Sequence, residues 1–377
     1  MGKRLIIISL CLFLFSAAGC SMIENEYTTI TPHIVPSAAQ EEEAEPSIAS
    51  ANDSGTLRAF IMGCIRAGSS RNMVDITNYQ GDIDKDFTLL LKRLQANSLY
   101  AYAVDYMDHD FITQNGSTFL ELSMVYRRSA EEIAAIVSVR GMTQAQEEIA
   151  RALNEFNSSL TLRISSYYNM DYSAWIAQYC MEHPELIVAQ PETTVSVFPD
   201  TGRSRVLELH FGYAGSKTDM RNMQRNMATL LRSASNFAAR GNNSTEKLAL
   251  LCQYLVERTH YDPAGNSNQD AYNLLCRQQA SDHGFASVMY YLMNQANICC
   301  YLVEGTRNNV PYCWNIVLIN GQYRHIDMMR QWQESSKAPI FYTDAEMTEY
   351  TWDFEKYPAC VDSSTEISTT ENISPTS

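Results

Sequence analysis

Two stretches decide the fold of this chain: Ala271–Ala286, AYNLLCRQQASDHGFA, and Tyr312–Asp327, YCWNIVLINGQYRHID. Apolar residues at helical spacing continue the first stretch: Phe285, Val288, Met289 and Leu292. This spacing predicts a helix that begins near Asp282. In the second stretch, Asn320-Gly321 separates two apolar runs and indicates a hairpin turn. We therefore expect a helix followed by paired strands.

Together the two stretches resemble the transglutaminase-like domain, a relative of the papain-type thiol hydrolases. The family pattern reads about A-Y-x-x-L-x-x-G-x-G-V-C-x-G-Y-A, then H-A-W-N-x-V-x-I-x-G-x-W-Y-H-V-D, and both parts align without a gap. The resemblance places Asp282 at the nucleophilic cysteine, Tyr312 at the histidine base and Asp327 at the orienting carboxylate. It implies a scaffold that has lost its thiol chemistry, so we lean toward a non-catalytic protein.

The replaced positions have structural interpretations. Asp282 at a helix start is expected to cap the helix. A protonated tyrosine donates rather than accepts, so Tyr312 is expected to hydrogen-bond a carboxylate. Asp282 and Asp327 as a glycosidase pair remain an alternative. A shifted nucleophile, Ser281 or Cys313, would need a histidine in contact, and the family geometry implies that His283 lies on the wrong side of the helix start for Cys313.

Four further residues are groove candidates on the strength of the resemblance: His283, Trp314, Asn315 and His325. The histidines and carboxylates here have no metal-binding spacing, and satisfied polar side chains are the commoner arrangement. We therefore expect no metal and no cofactor.

The N-terminal residues are typical of a secretory signal. Lys3-Arg4 precede the apolar run Leu5–Phe15, and small residues follow before Cys20. This pattern resembles the bacterial lipobox and implies a chain lipidated on Cys20 and held at the outer face of the cell membrane. An ordinary signal peptide is the alternative.

The chain is acidic, with 43 Asp and Glu against 28 Lys and Arg and a formal charge of −15. This charge argues against nucleic acid as a partner, because nucleic-acid binding needs a basic face. Eight cysteines lie beyond Cys20, in no repeated framework, and both buried free thiols and disulfides remain open.

An internal repeat lies upstream of the two stretches. Phe119–Tyr126 matches Val206–Tyr213 at an offset of 87, and Val74–Tyr79 matches Leu162–Tyr167 at an offset of 88. Alternating apolar residues predict strands, with helices between them. Each unit is thus predicted to run helix, strand, helix, strand, strand.

The predicted fold class is α+β: two tandem α-β-α-β-β units followed by a transglutaminase-like, papain-type α+β domain. We expect an extracytoplasmic lipoprotein that binds a peptide, a cell-wall fragment or a partner protein. The alternative is a hydrolase or acyl-transfer enzyme with a rebuilt active site. The predicted boundaries are 1–20 for the signal peptide, 21–55 for a disordered tether, 56–141 and 142–236 for the repeats, 237–357 for the transglutaminase-like domain and 358–377 for a disordered tail.

Overall fold

The computed structural model describes residues 49–260 and 270–362, and all of them belong to one compact unit that begins at Ala49. Helices and strands alternate along the chain in an α+β arrangement, as predicted. In the described residues the strands form three separate sheets.

The first sheet has the strand order β1-β3-β2, with both pairings antiparallel. Its apolar face packs against α1, which a capping box of Asp53 and Thr56 opens. The elements of this part are α1 (Ser54–Ala67), β1 (Arg71–Asp75), α2 (Ile83–Gln95), α3 (Ser98–Ala103), β2 (Val104–Gln114) and β3 (Ser117–Tyr126).

The second sheet has the order β4-β5-β7-β6, in which only the β4–β5 pairing is parallel. Helices α5 and α6 supply its core. The elements are α4 (Ala130–Ala134), β4 (Val137–Gly141), α5 (Met142–Asn154), β5 (Ser159–Ser166), α6 (Tyr172–Glu182), β6 (Glu192–Phe198) and β7 (Arg205–Gly212).

The two sheets repeat the same pairing. Val74 lies opposite Leu120 in the first sheet, and Leu162 lies opposite Leu207 in the second. These are the positions that the sequence offsets of 88 and 87 relate, and all four side chains are fully buried. The second sheet differs by the additional edge strand β4.

The third sheet has the order β10-β9-β8-β11 and packs against α10. Helices α7 and α8 pack against each other and share an apolar core with α10. The elements are α7 (Lys217–Ala238), α8 (Ser244–Arg258), α9 (Asp270–Tyr272) with a π turn (Asn273–Arg277), α10 (Asp282–Gln295), β8 (Cys300–Arg307), β9 (Val310–Ile319), β10 (Gln322–Ile326), α11 (Met328–Gln333) and β11 (Tyr350–Trp352).

Two predicted repeat boundaries fall inside structural units. Strand β4 ends at residue 141, yet it joins the second sheet, so that sheet begins before the predicted boundary at 141/142. The boundary at 236/237 lies inside α7, which is unbroken because its apolar face packs into the core around α10.

The described parts of the predicted disordered ends are ordered. Ala51 is fully buried, and its amide donates to the Asp75 carbonyl at 2.8 Å, so this residue of the expected tether is held against the first sheet. Cys360 is fully buried, and its amide donates to the Asp344 carboxylate at 3.1 Å, which fixes the first residues of the expected tail. The predicted signal peptide, Cys20 and most of the predicted tether lie outside the described residues.

None of the helices in the described ranges is both long enough and apolar enough to cross a membrane. All eight described cysteines are free thiols.

Candidate functional site

Helix α10 begins with a serine cap. Ser281 has an extended backbone, and its hydroxyl oxygen accepts from the Gly284 amide at 3.0 Å. The expectation that Asp282 caps the helix is therefore wrong. Asp282 is the first helical residue, one position too late for the extended backbone that a cap requires, and its carboxylate is free to act elsewhere.

Gly284, which falls on a glycine of the family pattern, allows the helix start to approach α9. A Cβ at this position would lie 2.7 Å from the Asp270 carbonyl oxygen and 2.8 Å from the Ser281 hydroxyl. Both distances are too short for a real contact, so a larger residue would push the helix away. The Ser281 hydroxyl also donates to the Asp270 carboxylate at 3.0 Å.

The pleat of β9 decides which residues face α10. Successive side chains of a strand point to opposite faces. Asn315 donates to the Ala286 carbonyl at 2.9 Å, and Cys313 packs against Ala286, so these two face the helix. Tyr312 and Trp314 point the other way and pack around Tyr350. The position aligned with the family's histidine therefore lies away from α10.

Tyr312 and Asp327 form a hydrogen-bonded pair on that far face. The Tyr312 hydroxyl lies 3.1 Å from both carboxylate oxygens of Asp327, as the sequence predicted for one of the two acids. Tyr350 also donates to Asp327 at 2.6 Å, and the Arg330 amide donates at 3.0 Å. Arg307 lies 3.8 Å away. The carboxylate is thus a buried acceptor that holds neighbouring elements together.

The protonation of this pair excludes base catalysis by Tyr312. Burial and the Asp327 charge raise the pKa of Tyr312 far above its usual value, so the phenol keeps its proton. Burial also raises the pKa of Asp327, against the opposing effect of its hydrogen bonds.

Asp282 binds across to the strand instead. Its carboxylate accepts from the Cys313 amide at 3.0 Å and lies 3.2 Å from Nδ1 of His283. Burial alone would raise the pKa of Asp282, but the His283 hydrogen bond and charge and the Cys313 amide together hold it below its usual value. Asp282 is therefore a carboxylate in contact with an imidazole.

His283 and Cys313 are brought together, against the expectation from the family geometry. Suitable side-chain atoms of Asp282, His283 and Cys313 all lie within 4.8 Å of one another. The expectation failed because Cys313 shares the face of β9 that packs on the helix start. Asp282 first and Cys313 next raise the pKa of His283 to about 11.

Three of the four predicted groove residues are buried instead. Trp314 and Asn315 are 1% exposed, and His325 is fully buried. Nδ1 of His325 accepts from the Trp314 indole at 2.9 Å, and Nε2 lies 2.8 Å from Asp344. These contacts make the three residues part of the packed sheet. Only His283 among the four lies on an open surface.

His283 lines a small cleft, of about 40 Å³, between α10 and the part of the chain that forms the second sheet. The wall from the second unit includes Met181 and Val188, and the facing wall includes Asp270 and Ser287. The Ser287 hydroxyl donates to the Met181 carbonyl, which joins the two walls at the base. The cleft thus opens at the N-terminal end of α10.

Two groups of metal-ligand type occur in the described residues: Asp282 with His283 and Cys313, and His325 with Asp344 and Cys360. The second group does not suit a metal. Nδ1 of His325 accepts from Trp314, so the neutral ring carries its proton on Nε2, the atom that faces Asp344. The first group is the cluster of the Asp282 carboxylate, the His283 imidazole and the Cys313 thiol described above.

Comparison with known proteins identifies the C-terminal part. The family model of the Transglutaminase-like superfamily matches residues 232–328. A solved structure described as the crystal structure of a TGase is similar over 59% of this chain, with 12% identity and a TM-score of 0.24, and the chain spans 65% of that protein. No curated protein matches the chain.

Residues 232–328 form a transglutaminase-like domain. The matched span begins inside α7 and ends at α11, so it includes the cleft residues His283 and Ser287 as well as Cys313.

Proposed function

We propose that this protein is a lipoprotein of the outer face of a cell membrane whose transglutaminase-like domain binds an extended peptide. The peptide is either free or the peptide part of a cell-wall fragment. The anchor is the lipidated Cys20 of the lipobox-like pattern, and the following acidic, Pro- and Ser-containing residues serve as a tether.

The position of the cleft is the observation that carries the proposal. It opens beside His283 at the start of α10, where the family pattern has its catalytic position. Ile187 and Val188 are buried side chains that form an apolar floor, and Gln190 and Asp270 offer hydrogen bonds to a peptide backbone. Such a mixture of apolar lining and a few polar groups suits an extended chain.

The three positions that catalyse in the family do not supply its chemistry here. Asp282 stands at the nucleophile position and has no thiol, and Tyr312 stands at the base position and keeps its proton. Asp327 is 2% exposed and already accepts from two tyrosines. These replacements favour recognition by the retained scaffold rather than acyl transfer at the inherited positions.

Peptide binding is tested with the full-length chain in detergent against an array of unmodified peptides and cell-wall stem peptides, using photo-crosslinking. Gln190→Trp fills the cleft mouth at an exposed position, and Gln114→Trp is the matched control in the distant β2–β3 hairpin. We expect crosslinks that map to the cleft and fall at least about tenfold in Gln190→Trp alone, because the indole excludes the peptide. Equal crosslinking in both variants would contradict the proposal.

The anchor is tested separately by growth with a labelled fatty acid. The wild-type chain should carry the label and sediment with membranes. Cys20→Ser should lose both, and a labelled Cys20→Ser chain would contradict lipidation at this residue.

A further inference from the structure

The helix and the strand at this site carry exchanged residue types. The family places its cysteine at the helix start and its histidine on the facing strand, whereas here the histidine, His283, is at the start of α10 and the cysteine, Cys313, is on β9. Each lies one position after the aligned residue, and the pleat of β9 turns Cys313 toward the helix. A thiol and an imidazole therefore again lie within 4.8 Å of each other, with the helix and the strand in opposite roles.

We propose that Cys313 is the nucleophile and His283 the proton donor and acceptor of a rebuilt site that cleaves an amide or ester of the peptide bound in the cleft. Asp282 is the positioning residue, since its carboxylate holds Nδ1 of His283 at 3.2 Å and the Cys313 amide at 3.0 Å. The inference rests on the proposed peptide binding for its substrate class.

Substrate reaches the sulfur only when the wall of the cleft moves, because Cys313 does not itself line the cleft. Cys313 is 4% exposed and packs with Ala286 and Leu302, and the partly buried Met181 closes this cluster. Met181 and His283 both line the cleft. The thiol therefore lies directly behind two cleft residues, one of them an unbranched side chain that adopts other rotamers easily.

The electrostatics favour a thiolate that forms only at raised pH. Burial raises the pKa of Cys313, Asp282 and Glu304 add to this, and the imidazolium of His283 opposes them. His283 is itself held protonated by Asp282 and Cys313, with a pKa of about 11, and Asp270 is a further acid that faces it. The rate of amide cleavage is thus expected to rise with pH as Cys313 ionises. It should fall again at higher pH, as His283 loses the proton that it gives to the leaving amine.

The chemical steps balance with these groups alone. The Cys313 thiolate attacks the carbonyl carbon, a C–S bond forms, and the C–N bond breaks as the His283 imidazolium gives its proton to the leaving amine. Neutral His283 then takes a proton from water, whose oxygen attacks the thioester. The C–S bond breaks, and the products are a carboxylic acid, the thiolate and the imidazolium.

The first test measures alkylation of each cysteine by iodoacetamide from pH 6 to 10, with peptide mass spectrometry. The exposed Cys299 is removed as Cys299→Ser, and the buried Cys300 is the internal reference. We expect Cys313 to react at least about tenfold faster than Cys300. His283→Gln should slow Cys313 by about tenfold, because a pKa raised by one unit lowers the thiolate fraction tenfold.

The second test incubates the chain with a peptide nitrophenyl ester and measures the mass added to each peptide. An acyl group on Cys313 in the wild type, absent in Cys313→Ser and reduced in Asp282→Asn, would support the proposal. Equal alkylation of Cys313 and Cys300 at every pH would overturn it. Zinc that copurifies with the wild type and is lost in Cys313→Ser would also overturn it in favour of a metal site.

The two proposals fail separately. Peptide crosslinking in the cleft without acylation of Cys313 removes only the rebuilt active site. Acylation by the ester without peptide crosslinking leaves the thiol chemistry and removes the proposed peptide binding. Thermal unfolding of each variant shows whether it is folded, and Asp282→Asn serves as the second variant if His283→Gln does not fold.

Discussion

The Tyr312 hydroxyl lies 3.1 Å from each carboxylate oxygen of Asp327. The two residues occupy the positions at which the family pattern has a histidine and its orienting carboxylate. The hydrogen bond is kept, but its donor is a phenol that retains its proton. A contact that belongs to catalysis in the family has therefore become a structural link between β9 and α11.

Tyr312→Phe should destabilise the fold, because it leaves a buried carboxylate with one donor fewer. The expected loss in the free energy of unfolding is about 1–3 kcal/mol by denaturant titration. Tyr168→Phe, at a side chain that is 60% exposed, is the control and should change stability by less than about 0.5 kcal/mol. Equal stability of the two variants would show that the hydroxyl has no structural role.

Ser281→Ala should destabilise the start of α10 by about 1 kcal/mol, the usual effect of losing an N-cap. The substitution removes the acceptor for the Gly284 amide and the donor to Asp270. Ser281→Thr keeps the hydroxyl and should retain most of the stability in the same urea titration. If Ser281→Ala were as stable as the wild type, Ser281 would not be the cap.

His325 predicts an acid dependence of stability. Burial lowers its pKa in the folded chain, and its ring accepts from Trp314. The unfolded chain then binds a proton that the folded chain does not. This stabilising contribution is present above about pH 6.5 and is lost as the pH falls through the lower folded pKa. The stability difference between the wild type and His325→Gln should therefore shrink from pH 8 to pH 4. A difference that stays constant over this range would contradict a neutral, buried His325.

The sequence predicted much of the scaffold because its signals are local. The apolar spacing after Asp282 gave the helix α10, and Asn320-Gly321 gave the turn between β9 and β10, where Asn320 and Gly321 both have positive φ. The repeat offsets related residue pairs that the two sheets place opposite each other.

The site was less predictable because it depends on which face of β9 packs on α10 and on shifts of a single residue along the chain. The alignment gave residue types at 282 and 312 but not the face of β9 that packs on α10. Because side chains alternate along a strand, Cys313 and Asn315 point to the same face of β9. The family resemblance at Asn315 could therefore have indicated that Cys313 faces His283, once Asn315 was expected to pack on the helix. The N-cap of α10 is Ser281 and not Asp282. Serine and aspartate are both good capping residues, so the sequence pattern could not decide between them.

The most direct test of the central claim is the titration of His283 by NMR of a histidine-labelled chain, assigned with His283→Gln. The predicted midpoint is near pH 11 in the wild type, because Asp282 lies 3.2 Å from Nδ1 and Cys313 lies within 4.8 Å. It should fall toward the ordinary value of about 6.5 in the Asp282→Asn/Cys313→Ser double variant. A wild-type midpoint near 6.5 that is unchanged in the double variant would contradict the pairing of His283 with Asp282 and Cys313, and with it the account.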